Sequence, residues 1–360
     1  MSKIEYARYP PGSRVSAVHA ALQRGMPVLI LTAYAAAVAV PGPGDAAQHV
    51  VLFRTGQAAW KAPAVILALT LFTAGAGVDL GKLVGVARRP AVFVLGVAAN
   101  TAVPLLLLAA LSSVVGCLRD FPEAQSIIAG LTLVAAMPVG GTAAAWTAYH
   151  RGNTALGVGL LVGSIAVSPL TIPIGLSVGS ALTLGDYADD LGRLTAAGSG
   201  PSALTTALAP CALGIAVRLA RRRQVERALP LLRLFTLIDI VSLAYVNGAG
   251  VLRALLLAAD LDFLLAVFAS AAVLCVGSFA LGWYLARCAR SSDADALALS
   301  YATGLDNASM GAVLGSLGLR EHPLVLAPVL AVSLIQMLTA SCFGRLIYHR
   351  APRVHLSGTA

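Results

Sequence analysis

Thr303-Gly304-Leu305-Asp306-Asn307-Ala308-Ser309-Met310-Gly311 interrupts an otherwise apolar run over residues 296–318. Two glycines bracket an Asp-Asn pair. Glycine costs a helix roughly 1 kcal/mol against alanine, and Asp and Asn side chains compete for nearby backbone groups. A second interruption, Met137-Pro138-Val139-Gly140-Gly141-Thr142, falls inside the apolar run 125–149. Proline lacks a backbone donor and clashes with the preceding turn. Both runs therefore predict a broken helix rather than a straight one.

Working outward, apolar runs long enough to cross about 30 Å of hydrocarbon recur along the whole chain. Ten are predicted, at 18–40, 62–79, 90–115, 125–149, 154–182, 202–220, 230–252, 262–286, 296–318 and 323–347. The two interrupted runs are the fourth and the ninth, the fourth member of each group of five. Irregular backbone at membrane depth persists only where protein or a water-filled cavity satisfies its polar groups. Breaks at corresponding positions of two halves point to a transporter binding site, where half-helix ends present free amides and carbonyls. Kinks from small-residue helix packing are the alternative.

Composition agrees with bilayer residence. The 360 residues are 58% hydrophobic and 11% charged, with mean hydropathy +0.83, against about 25% charged residues in an ordinary soluble domain. A net charge of +9 could suggest nucleic acid, but the basic residues sit in short gaps between apolar runs, so lipid is the expected partner and nucleic acid is not. Cys117, Cys211, Cys275, Cys288 and Cys342 show no CxxC spacing and read as small buried hydrophobes. The polar start, Met1 to Arg14, lacks a cleavable signal pattern, so the first apolar run reads as a retained span.

Charge also sets orientation. Gaps on the side of the N-terminus hold 19 of the 25 Lys and Arg residues, including Arg221-Arg222-Arg223. The other side holds Arg54, Lys61, Arg119, Arg193, Arg253 and Arg320. Such a split predicts both termini in the cytoplasm. The expected organisation is a cytoplasmic segment 1–17, a first repeat 18–182, an extracytoplasmic loop 183–201, a second repeat 202–347 and a cytoplasmic tail 348–360.

Several motifs, in order, resemble the bile acid:sodium symporter family over roughly residues 60–345. They are Leu71-Phe72-Thr73-Ala74-Gly75-Ala76-Gly77-Val78, Arg89-Pro90, Pro138-Val139-Gly140-Gly141-Thr142-Ala143, Arg151-Gly152-Asn153-Thr154-Ala155-Leu156, Ser168-Pro169-Leu170-Thr171-Ile172-Pro173 and Gly304-Leu305-Asp306-Asn307. The resemblance implies an all-α polytopic fold of ten transmembrane helices in two inverted five-helix repeats, forming a panel and a core domain, with the broken helices crossing in the core. It implies sodium-driven uptake of a small organic anion, and residence in a bacterial inner membrane.

The ion sites depart from the family pattern. A Ser-Asn pair after the first break is replaced by Ala144 and Ala145, hydroxyl positions align with Gly157 and Leu161, and a shared glutamate aligns with Ala302. Methyl groups offer sodium no oxygen. The second site is better matched, by Asn100, by Asp306 in place of an amide, and by the carbonyls of Ala302, Thr303 and Leu305. Sodium or a proton is then the coupling ion, and no other metal or cofactor is expected. For substrate, the resemblance implies Thr142, Asn307 and Gln336. Pro138, Gly140, Gly141, Gly304 and Gly311 are the expected helix-breaking residues.

Asp239 is the other acidic residue placed deep in a span. A carboxylate there costs about 2.5–3.5 kcal/mol on the lenient insertion scale. It is expected to accept a structural hydrogen bond or to serve as a proton relay. Asn247, two turns on, reads as helix–helix glue. His150 and His322 read as solvated loop residues, Trp60, Trp146 and Trp283 as interface anchors, and Asp79 as a cap. No HExxH, no GxSxG within a span and no paired catalytic Asp motif supports an enzyme. The span-four cysteine expected of a related arsenite carrier is missing. Two functions remain: a secondary transporter, or a membrane sensor or scaffold that keeps the fold without transport.

Overall fold

The computed structural model describes residues 25–55, 58–77, 90–118, 121–198, 201–249 and 260–350, with residues 18, 21, 22, 252 and 253 besides. The predicted segment 1–17, residues 351–360 of the predicted tail 348–360, Asp79, Arg89 and Arg119 lie outside this set. Helices dominate. They are α1 (Met26–Ala39), α2 (Gly42–His49), α3 (Ala62–Ala76), α4 (Pro90–Leu118), α5 (Phe121–Ala135), α6 (Thr142–Tyr149) and α7 (Thr154–Leu182). After these come α8 (Asp186–Gly198), α9 (Pro201–Ala220), α10 (Arg222–Ala249), α11 (Leu261–Cys288), α12 (Asp293–Gly304), α13 (Ala308–Gly318) and α14 (Leu326–Arg350).

Among the described residues, four helices are long and apolar enough to cross a bilayer: Pro90–Cys117, Thr154–Leu182, Leu261–Cys288 and Pro323–Gly344. Counting each bent pair as one span raises this to six. The first such pair is α1 with α2, which turn 92° at Val40 and Pro41. The outer faces of the long helices are apolar: Leu106 on α4 is 68% exposed and Leu170 on α7 is 67% exposed. Contiguous exposed hydrophobic surface of this kind is what hydrocarbon solvates. This is an all-α membrane architecture with one small exception.

That exception is an antiparallel hairpin, β1 (Val51–Thr55) and β2 (Ala58–Lys61), with Phe53 stacked on Trp60 at 5.5 Å. The expected loop 183–201 is also structured. Its centre forms the amphipathic helix α8, which opens with Asp186 and Asp189 in its first turn, a placement the helix dipole favours.

Packing sorts the helices into two groups. The first comprises α1, α3, α9 and α10, in which α10 packs on each of the other three and α3 packs on α9, with α2 seated on α10. The second contains α4 to α7 and α11 to α14. Close approach between elements is met by small residues; a Cβ on Gly75 of α3 would fall 2.1 Å from the Cys211 carbonyl oxygen of α9. Of the cysteines, Cys211 and Cys275 are buried as expected, whereas Cys117, Cys288 and Cys342 face outward. An outward face in an apolar span meets lipid, so position within a span does not by itself bury a side chain.

Candidate functional site

Each interrupted run breaks where its sequence resists helix. The last turn of α5 tightens, the Met137 N–H donating to the Val134 carbonyl at 2.9 Å. Pro138 then has no N–H with which to continue. α6 restarts at Thr142, its N-cap position held by Gly141 with no side-chain cap. α12 ends at Gly304, and α13 restarts at Ala308 with Asn307 as N-cap, whose side-chain oxygen accepts from the Met310 N–H at 3.1 Å. Gly311, expected in the break, lies inside α13. A Cβ there would fall 2.5 Å from the Leu133 carbonyl oxygen, so its role is close packing on α5.

The two unwound segments cross. Val139 lies opposite Asp306 in a single antiparallel bridge. The Gly140 N–H donates to the Leu305 carbonyl at 2.6 Å, and the Asn307 N–H donates to the Pro138 carbonyl at 3.0 Å. In this widely spaced pairing the backbone groups of the central residues point outward. The Val139 N–H is met there by the Ser164 hydroxyl of α7 at 3.1 Å, and that hydroxyl donates in turn to the Leu161 carbonyl at 2.9 Å. A Cβ on Gly140 would stand 3.0 Å from the Asp306 carbonyl oxygen, so only glycine permits this approach without displacement.

Charge enters at one point. Asp306 is 6% exposed. The Asn100 side-chain amide, from α4, donates to Asp306 Oδ1 at 3.0 Å and to the Ala302 carbonyl at 3.2 Å. A carboxylate oxygen and a carbonyl near a helix C-terminus are thus held together by one amide. Carboxylate and carbonyl oxygens suit a hard cation or a proton. The other expected ligands are less available. The Thr303 hydroxyl donates to the Leu299 carbonyl at 2.8 Å, and the Leu305 carbonyl accepts from Gly140.

The other expected sodium site is assembled without donors. The helices that carry its expected residues Ala144, Ala145, Gly157, Leu161 and Ala302, namely α6, α7 and α12, pack together. None of these residues carries a side-chain oxygen. The nearest hydroxyl to Gly157, that of Thr147, donates to the Ala143 carbonyl at 2.8 Å.

Of the expected substrate residues, Thr142 and Asn307 sit at the N-terminal ends of the two half-helices. Thr142 is buried, and its hydroxyl makes no hydrogen bond among the described residues. Gln336 lies on α14, which packs on both α5 and α13, and its buried side-chain oxygen has no partner among the described residues. Asp239 is directed elsewhere. Its Oδ2 accepts from the Thr70 hydroxyl of α3 at 3.4 Å, beside a Thr73–Thr236 contact of 2.8 Å, in the seam between α3 and α10.

Two expectations are overturned. His150 and Trp146 are buried rather than solvated or interfacial. Trp146, His150 and Tyr301 stack in a ladder with centroids 5.6 and 5.8 Å apart, and the Tyr301 hydroxyl lies 2.8 Å from His150 Nδ1 while donating to the Ala340 carbonyl. His322 is half-buried and stacks on Tyr187 of α8 at 4.0 Å. Asn153 was read only as part of a motif. It caps α7 and donates to Asp295 Oδ1 at 2.6 Å, tying α7 to the start of α12.

A model of the Sodium Bile acid symporter family matches residues 64–257. The chain belongs to this family. Among known proteins it is similar to one from Bacillus subtilis (strain 168) described as "Uncharacterized protein YbaS", 22% identical over 221 residues, which cover 61% of this chain and 68% of the other. The family match takes in the first break and Asn100 but stops before the second break.

Proposed function

We propose that this protein is a secondary active transporter of a small organic anion, working by alternating access around the crossing of its two broken helices. Each pair of half-helices, α5 with α6 and α12 with α13, counts in this reading as one span. The chain then has ten spans in two inverted repeats of five. The group of α1, α3, α9 and α10 is the panel, the larger group is the core, and both termini face the cytoplasm of a bacterium. The observation that carries the reading is the antiparallel pairing of Val139 with Asp306. It brings the ends of two half-helices and the carboxylate of Asp306 to a single place.

Transport follows from the arrangement in physical terms. Asp306 and the Ala302 carbonyl hold one cation, sodium or a proton, with Asn100 as the neutral group that orients them. The substrate anion takes donors from the Thr142 hydroxyl, the uncapped start of α6 and the amide of Gln336. Neutral donors suit an anion that must also leave. The alanines at the other family ion site reduce the coupling to one ion in place of two. Movement of the core against the panel exposes the crossing to either side in turn.

Uptake of a panel of organic acids into sealed vesicles, under imposed sodium or proton gradients, tests this directly. Gradient-driven accumulation of at least one acid is expected. No flux under any gradient would instead favour the sensor or scaffold.

A further inference from the structure

A cavity with a volume of about 300 Å³ lies away from the crossing. Gln48 and His49 of α2, Lys61 at the end of β2, Ser316 of α13, Arg320 and Leu326 line it. No acidic residue lines it among the described residues. Ser316 is nine residues beyond Asn307, so the cavity sits about 14 Å along α13 from the crossing. One wall belongs to the smaller helix group and the other to the larger. Lys61 and Arg320 form no ion pair among the described residues, and Asp45, 4.0 Å from His49, lies outside the lining.

We propose that this cavity is a binding vestibule for small organic anions bearing one or two carboxylates or sulfonates, held by Lys61 and Arg320. Its size falls at the lower end of the range for small-molecule sites. Two cations between apolar walls, with no carboxylate among them, focus a positive field into the cleft and concentrate anions there. Arg320 offers a fork that matches a carboxylate, Lys61 a mobile point charge, and Gln48 and Ser316 neutral polar atoms at the rim. The Gln48 amide nitrogen donates to the Val246 carbonyl at 2.6 Å, which fixes that side chain on α10. Because the two walls belong to different helix groups, any rocking of one against the other reshapes the vestibule. The charge split places it on the face opposite the termini. Its part in uptake rests on the transport reading, but binding itself does not.

Succinate titrated calorimetrically into the purified full chain in phosphatidylcholine nanodiscs tests the site, against Lys61→Gln, Arg320→Gln and the double variant. Each single change is expected to weaken binding about 10-fold, as loss of a charge-assisted bond does, and the double variant to abolish it. Affinity should also fall with added salt in the native protein and lose that dependence in the double variant. Native affinity in the double variant, or no binding to the native chain, overturns the proposal. Repeating the titration in phosphatidylglycerol nanodiscs separates the soluble ligand from a lipid headgroup. Unchanged affinity supports the vestibule, and displacement by the anionic lipid overturns it. Binding without flux would leave the vestibule standing and remove the transporter.

Discussion

The two broken helices solve the same geometric problem with different chemistry. The first break is made by Pro138, Gly140 and Gly141, carries no charge and leaves the start of α6 uncapped. The second is made by Gly304, Asp306 and Asn307, carries a buried carboxylate and caps α13 with its own side chain. One break supplies backbone and space, and the other supplies charge and order. A pair of identical breaks would offer two equivalent anion sites. In the proposed reading, this unlike pair offers one place for a cation, beside Asp306, and one for an anion, beside Thr142.

The sharpest way to break that comparison is to remove the charge. Asp306→Ala is expected to abolish ion-driven accumulation in sealed vesicles while the protein still inserts and purifies as a monodisperse species. A carboxylate at membrane depth costs about 2.5–3.5 kcal/mol even on the lenient scale, so its loss should not destabilise the fold by much. Undiminished accumulation in this variant would make Asp306 structural and the two breaks equivalent.

Backbone approach gives the next largest effect. Gly140→Ala places a Cβ 3.0 Å from the Asp306 carbonyl oxygen and 3.1 Å from that of Leu305, both backbone atoms. Overpacking of this kind costs about 1–3 kcal/mol. Gly141→Ala meets nothing within 4 Å. As glycine at an N-cap is better than alanine only modestly, that change should cost roughly a few tenths to 1 kcal/mol. Thermal denaturation of the two variants in detergent measures the difference; equal losses would mean that the crossing is not held as closely as Gly140 implies.

Asn307→Ala removes the cap from α13 and is expected to cost about 1 kcal/mol, whereas Asn307→Asp keeps an acceptor and should retain the cap. The same denaturation assay checks it. If alanine and aspartate are equally destabilising, Asn307 is held by something other than its bond to the Met310 amide.

Much of this contrast was legible in the sequence, because the breaks are local chemistry. Proline, paired glycines and an Asp-Asn dipeptide act on their own backbone wherever they stand, so Pro138 and Asp306 mark interruptions without reference to the fold. The pairing across the crossing is tertiary, and no local signal could place Val139 opposite Asp306. Asn100 came only from the family likeness, and Ser164 had no signal, being one hydroxyl among several in α7. Trp146 and His150 were misread for a physical reason. Nearness to the end of an apolar run reports depth in a straight helix, but after a break the second half takes a new direction. Both side chains then lie inside the bundle. The hairpin of β1 and β2 escaped because Val51–Lys61 is too short and too near two apolar runs to show its alternation.

Thr142 gives the smallest stability effect and the cleanest separation of binding from folding. Its hydroxyl has no hydrogen bond among the described residues, so Thr142→Ala should cost only about 0.8 kcal/mol, the value of one buried methyl. If that hydroxyl donates to the substrate, the same variant should raise the KM for uptake by about 5- to 10-fold, the value of one hydrogen bond. Thr142→Ser keeps the donor and should restore KM, while its lost methyl tests whether packing contributed. An unchanged KM in the alanine variant would leave the start of α6 without a substrate contact. The first break would then shape the crossing and nothing more, and the anion would have to be held from the side of α13 and Gln336.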